Sequence, residues 1–262
     1  MANNVYAISS GLSVELEEVP WAVKIYGCGA ALISDTHILT AAHCVVKLSE
    51  DDIKPRAGGE SSLRSLKLLP MVKNIYIHPE YTNWNKKNTN TKRSDIAILE
   101  LQTEVVFNEK IMPVNLPISS DINASLLQNN MSGISIMGWG NSGELIASTT
   151  KLKILNNIYL LPGPNSDFWS DSLIESELYT DHIKNNNLIT TFKTGNYLIV
   201  KNKFGQSCKG DSGGPMIELS TNTILGVSAH NMGQGCGYDK YFFYTDVSKH
   251  LDWIRSVLSE GQ

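Results

Sequence analysis

Gln206-Ser-Cys-Lys-Gly-Asp-Ser-Gly-Gly-Pro215 places one serine, Ser212, among three glycines. Regular helices and central strands gain nothing from the backbone freedom of glycine, so this stretch predicts a tight, exposed turn that holds the Ser212 hydroxyl forward. On such a turn the N–H groups of Gly210 and Ser212 point toward one place, as an oxyanion hole requires. A serine hydroxyl is a weak nucleophile until a base takes its proton, so the stretch also calls for a histidine and an orienting carboxylate elsewhere.

Two motifs upstream supply those groups. Thr40-Ala-Ala-His43-Cys44 follows an apolar run, and Asp95 opens the apolar run Ile96-Ala-Ile-Leu99, so each candidate sits where a predicted strand meets a loop. The order His43, Asp95, Ser212, with these flanking residues, resembles the trypsin/chymotrypsin family of serine endopeptidases, whose triad order differs from that of other triad folds. The resemblance extends from about Ile8 to Ile254 and covers almost the whole chain.

The resemblance implies a fold and a mechanism. The fold is all-β, with two antiparallel six-stranded β-barrels, an active-site cleft between them and a C-terminal helix. In the mechanism, Ser212 attacks a peptide carbonyl, His43 takes and returns the proton, and Asp95 orients the imidazole. The N–H groups of Gly210 and Ser212 would meet the oxyanion of the acyl-enzyme chemistry, and neither a metal nor a cofactor is required.

The apolar pattern agrees with a mostly β chain. Short β-favouring runs recur between Gly, Pro and Asn clusters, for example at 21–26, 37–40 and 72–77. Met112-Pro-Val-Asn-Leu-Pro117 resembles the connector between the family's two barrels, so the predicted domains are residues 8–112 and 113–262. Leu251, Ile254 and Leu258 recur at helical spacing and predict a helix over 248–258.

Composition narrows the classes of partner. The 262 residues are 42% hydrophobic and carry a formal net charge of −4, which gives no attraction to nucleic acid or anionic membrane. No apolar run is long enough to span a bilayer, and Met1-Ala-Asn-Asn4 lacks the charged and apolar regions of a signal peptide. The expected partners are therefore a protein or peptide substrate and an activating protease, with no nucleic acid and no membrane span.

Four cysteines fit two disulfides, a metal site or free thiols. The chain has no Cys-x-x-Cys pair, which argues against zinc. The resemblance implies the pairs Cys28 with Cys44 and Cys208 with Cys236. Stable disulfides require an oxidising compartment, so we expect secretion or export to an extracellular or periplasmic location.

Residues 1–7 have two interpretations. Ile8-Ser-Ser-Gly11 occupies the place of the family's mature N-terminus, so cleavage between Ala7 and Ile8 would free an α-ammonium that pairs with Asp211 inside the protein, as in a zymogen. Alternatively, residues 1–7 are a vector remnant and Asp211 only caps a turn.

The resemblance also identifies a specificity pocket lined by Gln206, Ser207, Ser228, His230 and Phe242. The family's pocket-floor position is Gln206 here, and a neutral amide does not repay the desolvation of a Lys or Arg side chain, so a preference for basic residues is not expected. Phe242 replaces a glycine and would shorten the pocket. The pocket would then take small side chains, or Gln206, Ser207 and a protonated His230 would hold an acidic or amide one.

Two other functions share these residues. A catalytically silent family member would keep the fold as a binding module, and the blocked pocket is the feature that supports it. An esterase would use the same triad on a different carbonyl. Labelling of Ser212 by a phosphonate separates the silent module from both enzymes.

Overall fold

The computed structural model describes residues 11–60, 62–81, 94–119, 133–140, 153–155, 159–160, 197–201, 210–231 and 241–260. Ile8, Gln206, Ser207, Cys208 and Cys236 lie outside these ranges, and so does most of the stretch between 120 and 196. Within these described ranges, no helix is both long enough and apolar enough to cross a membrane.

Fifteen strands and two α-helices form the described part of the chain. The strands are β1 (Leu12–Ser13), β2 (Ala22–Ile25), β3 (Cys28–Leu32), β4 (His37–Thr40), β5 (Arg56–Ala57), β6 (Lys67–Leu68), β7 (Val72–Ile77), β8 (Ala97–Leu101), β9 (Ile134–Gly138), β10 (Lys153–Leu155), β11 (Tyr159–Leu160), β12 (Tyr197–Lys201), β13 (Pro215–Glu218), β14 (Thr223–Asn231) and β15 (Tyr241–Asp246). The helices are α1 (Ala42–Val45) and α2 (Leu251–Glu260), with 3-10 segments at Glu50–Asp52 and Val247–His250.

These strands form two antiparallel sheets. The first has the order β6-β5-β2-β3-β4-β8-β7, and the second has the order β1-β10-β9-β13-β14-β15-β12-β11. The all-β class with a C-terminal helix is thus confirmed. The described sheets contain seven and eight strands, and two strands in each sheet are only two residues long (β5 and β6 in the first, β1 and β11 in the second).

The central strands of the first sheet are buried along their whole length. All four residues of β4 and all five of β8 are buried, and Ile38, Ile98 and Leu99 have no exposed surface. Burying a side chain of this size contributes about 1.5–3 kcal/mol each. Because His43 follows β4 and Asp95 precedes β8, this packing fixes the two ends from which these side chains project.

The segment after residue 111 fastens the two sheets together. Val114 N–H donates to Leu32 O of β3 over 2.9 Å, while Asn115 forms a bridge with Thr223 at the start of β14. The segment predicted to connect the two halves therefore contacts both. The domain boundary near residue 112 stays a prediction.

The C-terminal helix begins later than the sequence predicts. The α-helix starts at Leu251 rather than Ser248, because Asp246 caps a 3-10 segment over Val247–His250 first. Asp246 Oδ1 accepts from Ser248 N over 2.9 Å and from Ser248 Oγ over 2.6 Å. The buried face of α2 carries Leu251 and Ile254, as predicted, and Val257.

A buried carboxylate clamps β8 to β7. Glu100 is 5% exposed and accepts hydrogen bonds from Lys73 Nζ at 2.6 Å, Asn74 Nδ2 at 2.7 Å and Tyr76 Oη at 2.9 Å. The hydrogen bonds from Lys73 and Asn74 lower the pKa of Glu100 to about 2, although burial opposes them. Since β8 leads directly from Asp95, this clamp holds the strand that positions Asp95.

We predict that Glu100→Gln lowers the free energy of unfolding by about 2 kcal/mol at pH 7, since charge-assisted hydrogen bonds contribute more than neutral ones. The folded-state pKa lies below the ordinary 4.5, so this contribution is complete above pH 4.5 and disappears as the pH falls toward 2. Urea denaturation at several pH values measures it. Glu17→Gln, which breaks the exposed ion pair with Lys110, is the control and should change little. Equal losses in the two variants would contradict the clamp.

Candidate active site

His43 and Asp95 form a two-point hydrogen-bonded pair. His43 lies on the one-turn helix α1, and its backbone N–H donates to Asp95 Oδ1 over 2.8 Å. The ring atom Nδ1 lies 2.7 Å from Asp95 Oδ2. A carboxylate only accepts, so Nδ1 carries the hydrogen and Nε2 keeps a lone pair when the ring is neutral. The pair therefore leaves His43 Nε2 ready to take a proton.

Both sheets hold Asp95. Its chain neighbours enter β8, where Ala97 pairs with Thr40 of β4 in the first sheet. From the second sheet, Thr245 of β15 donates its hydroxyl to Asp95 O over 2.9 Å in a buried contact. The backbone of Asp95 is thus anchored by both sheets, which limits how far its carboxylate and the bound His43 ring can move.

Two opposing effects set the pKa of His43. Partial burial lowers it, while the hydrogen bond and the negative charge of Asp95 raise it. The two effects of Asp95 together prevail, so the pKa of His43 lies above its ordinary value of 6.5. The His43 side chain remains 33% exposed, so solvent and substrate can reach it.

The Ser212 turn is wedged against the first sheet. Gly29 N–H of β3 donates to Ser212 O over 2.8 Å, and Gly213 N–H donates to Ser228 O of β14 over 2.7 Å. Gly213 has φ +76°, and a side chain there would collide with Thr40 Oγ1 and Gly29 O. Thr40 ends the strand that leads to His43, so the turn packs against the end of that strand.

Among the described residues, the carbonyl groups of this turn accept hydrogen bonds, whereas two of its N–H groups donate none. Lys24 Nζ donates to Gly210 O, Gly214 N–H donates to Asp211 O, and Gly29 N–H donates to Ser212 O. In the part of the chain that the structure describes, neither Gly210 nor Ser212 donates its own N–H to another residue. A buried amide without a partner is uncommon in folded proteins. These two N–H groups are therefore available to an oxygen that comes from outside the chain.

Two of the three predicted triad residues are hydrogen bonded, and the third lies on the neighbouring turn. No hydrogen bond joins Ser212 Oγ to the His43 ring in the described part of the chain, and His43 Nε2 lies 3.6 Å from Cys44 Sγ. Contacts between a nucleophile and its base often tighten only when substrate binds. The full triad stays a prediction.

Cys28 and Cys44 form a disulfide, as predicted. Their sulfurs and His43 Nε2 lie within 4.8 Å of one another, a spacing that would suit a metal ion. Both sulfurs are bonded to each other, so neither is a thiolate that could bind one. The predicted pair Cys208 with Cys236 lies outside the described residues.

Asp211 is buried next to Ser212 in the chain. Asp211 is only 1% exposed, and its Oδ1 accepts a hydrogen bond from Gly140 N–H over 2.6 Å. Gly138 packs so closely that a side chain there would collide with the carboxylate. The predicted partner Ile8 lies outside the described residues, so the activation pair stays a prediction.

The described part of the predicted specificity pocket is a buried strand pair. Ser228 of β14 pairs with Tyr244 of β15, and His230 pairs with Phe243. Ser228 is 4% exposed and Phe242 only 1%. Gln206 and Ser207 lie outside the described residues, as does the His230 side chain.

Sequence analysis missed two contributors to this site. Thr245, which anchors Asp95, lies more than a hundred residues away in the chain, and no local pattern marks it. Lys24, which contacts Gly210, stands alone in the apolar run Trp21-Ala-Val-Lys-Ile25, and a charge in the middle of such a run was the available signal. The helix α1 was also missed because it has only four residues.

Comparison with known proteins places the chain in a family. The family model described as Trypsin matches residues 8–254. Vitamin K-dependent protein C from Oryctolagus cuniculus is 30% identical over 259 residues, which cover 93% of this chain and 50% of that protein. The chain thus spans about half the length of this curated relative.

A solved structure shares the fold. The structure of HL collagenase superposes with a TM-score of 0.67 at 22% identity, covering 95% of this chain and 97% of that chain. At this identity the likeness supports the architecture, while the family match rests on the sequence. The fold, the paired His43 and Asp95 and these matches agree: this chain belongs to the trypsin family.

Proposed function

We propose that the protein is a serine endopeptidase that hydrolyses peptide bonds through His43, Asp95 and Ser212. One observation supports this most: the His43–Asp95 pair is accompanied by a serine turn whose Gly210 and Ser212 N–H groups donate to no residue among those described. Acyl transfer needs a base with a free lone pair, a hydroxyl and amide donors for the oxyanion, and this site carries groups of all three kinds.

The proposed reaction has two stages. Ser212 Oγ attacks the carbonyl carbon of the substrate while His43 Nε2 takes the hydroxyl proton, giving a tetrahedral oxyanion. His43 then donates this proton to the leaving nitrogen, the C–N bond breaks, and an acyl-Ser212 ester remains. A water molecule then attacks the ester carbonyl while His43 Nε2 takes its proton. His43 returns this proton to Ser212 Oγ as the ester bond breaks, which releases the acid and restores Ser212.

The oxyanion hole supplies much of the rate. The N–H groups of Gly210 and Ser212 stabilise the charge that forms on the carbonyl oxygen, and one such donor contributes about 3 kcal/mol to the transition state. Asp95 stabilises the imidazolium that forms at the same moment, which its hydrogen bond to Nδ1 already prepares.

We further propose that the specificity is not for Lys or Arg. Phe242 is buried at a position where the family's pocket is open, and this supports a shortened pocket for small side chains. An acidic or amide side chain held by Gln206, Ser207 and His230 is the alternative. The experiment on Phe242 below separates these two.

We also propose that cleavage activates the protein and that it acts in an oxidising, extracellular or exported location. Asp211 is buried next to Ser212, and an α-ammonium at Ile8, freed by cleavage at Ala7–Ile8, would pair with its carboxylate in addition to the charge of Lys24. The Cys28–Cys44 disulfide supports an oxidising, extracellular or exported location. An activating protease and a protein or peptide substrate are the proposed partners.

We predict that a fluorophosphonate probe forms one adduct, on Ser212, in protein that starts at Ile8. Ser212→Ala should abolish the adduct because the attacking oxygen is gone, and mass spectrometry of the labelled peptide locates it. Ser259→Ala removes a serine of α2 far from the turn and should leave labelling unchanged. Folded protein that remains unlabelled would favour the silent binding module.

We predict that kcat/KM falls on acidification through a pKa above 6.5, since the base must be neutral and Asp95 raises the pKa of His43. Asp95→Asn should lower kcat by roughly 10³- to 10⁴-fold and move the imidazole pKa downward. Kinetic pH profiles and NMR titration of the His43 ring measure both. Asp52→Asn, which alters an exposed cap, is the control. An acid limb at the same pH in Asp95→Asn would contradict this assignment.

We predict that Phe242→Gly shifts cleavage toward larger side chains, since it removes a buried phenyl group from the pocket. A peptide library compares the variants, and thermal unfolding checks that Phe242→Gly and the milder Phe242→Val remain folded. Phe107→Gly, at an exposed position, should not change the preference. Cleavage by the unmodified protein mainly after Lys or Arg would contradict both pocket hypotheses, whereas cleavage after Asp, Glu, Asn or Gln would support the alternative.

A further inference from the structure

A buried lysine lies beneath the Ser212 turn. Lys24 belongs to β2, is 8% exposed, and is the only buried lysine among the described residues. Lysine is almost never fully buried unless its charge is paired, because taking an ammonium out of water is unfavourable. An apolar residue at this position would avoid that cost, so the contacts of Lys24 need an explanation.

The Lys24 ammonium points at the turn rather than at solvent. Its Nζ donates to Gly210 O over 3.2 Å in a buried contact, and the carboxylate of Asp211 is the opposite charge that acts on it. Its cross-strand neighbours in the sheet are Gly29 of β3, which has no side chain, and Arg56 of β5, which is exposed. Asp211 is therefore the group that favours the charged form of Lys24.

We propose that Lys24 is a positioning residue for the oxyanion hole: its ammonium holds the Gly210 carbonyl inward and balances Asp211, so that the Gly210 and Ser212 amides converge. This inference rests on the proposed function for the meaning of those amides. The contact that carries it exists without any substrate.

Peptide geometry explains how the contact acts at a distance. The Gly210–Asp211 peptide lies between the two peptide units that carry the Gly210 and Ser212 N–H groups. A peptide unit is planar, so a hydrogen bond to its carbonyl fixes the direction of the whole plane. Gly210 has φ +98° and no side chain to restrict it, so this plane would otherwise rotate readily. Lys24 thereby sets the angle between the two donors.

The charge of Lys24 also makes the turn sensitive to alkali. Burial lowers the pKa of Lys24 from 10.5 to about 8, and the charge of Asp211 opposes that shift. Below pH 8 the ammonium is charged and attracts both Gly210 O and Asp211. Above pH 8 the amine is neutral and a weaker donor, and its attraction to the negative charge of Asp211 disappears. The convergence of the amides should then be lost as the pH rises through about 8.

The first experiment needs no catalysis. In Ser212→Ala protein labelled with ¹³C and ¹⁵N, NMR follows the Lys24 Cε signal and the amide signals of Gly210 and residue 212 from pH 6 to 10. We expect all three to titrate with one midpoint near pH 8. Gly210 and residue-212 amide signals that do not change with Lys24, or a Lys24 midpoint above pH 10, would overturn the proposal whether or not the protein is a protease.

The second experiment measures the reaction in protein that starts at Ile8. Lys24→Met should lower kcat by roughly 10- to 100-fold with a smaller change in KM, since misaligned groups slow the chemical step more than binding. It should also remove the alkaline limb near pH 8. Lys24→Arg, which stays charged, should restore part of kcat and move the limb upward. Lys110→Met, at an exposed ion pair, is the control and should match the unmodified protein.

The two experiments separate the possible failures. Unmodified protein without hydrolysis or Ser212 labelling, but with the coupled NMR titration, would reject the proposed function and keep Lys24 as the residue that orders the turn. Hydrolysis with an unchanged pH profile in folded Lys24→Met would reject the role of Lys24 and keep the protease. Because a merely structural lysine would lower the yield or the melting temperature without moving the alkaline limb, the pH profile is decisive.

Discussion

The contact between the Ser212 turn and the first sheet is the constraint on which the site depends. Gly29 of β3 binds the carbonyl of Ser212, and Gly213 leaves no room for a side chain against Thr40. From the second sheet, Ser228 accepts from Gly213. Ser212, the proposed nucleophile, therefore lies on a turn bound by both sheets, and a shift between the sheets would change its distance from His43.

The same arrangement recurs at Asp95. Its carboxylate binds His43 at two points, and its carbonyl accepts from Thr245 of the second sheet. Asp95 and the Ser212 turn are thus each held by contacts from both sheets, and His43 is held through Asp95. An active site built across two packed sheets stays ordered only while both are folded, which ties activity to the stability that clamps such as Glu100 supply.

The buried charges under the turn show where stability and function compete. Burying the charge of Asp211 or of Lys24 alone would be unfavourable. Both lie at the Gly210–Asp211 peptide, whose orientation is important for the proposed reaction. Polar groups of this kind in a protein interior are retained where they fix one arrangement among several.

The sequence by itself determined the family, the all-β class, the His43–Asp95 pairing and the Cys28–Cys44 bridge, because short motifs with fixed neighbours carry that information locally. Only the tertiary structure decided which amides of the turn stay unpaired, how Thr245 anchors Asp95, and that Lys24 reaches Gly210. These contacts join residues more than a hundred positions apart, and no local propensity or spacing encodes a distance of that kind. Such contacts form only when the two sheets pack together and bring these distant residues next to each other.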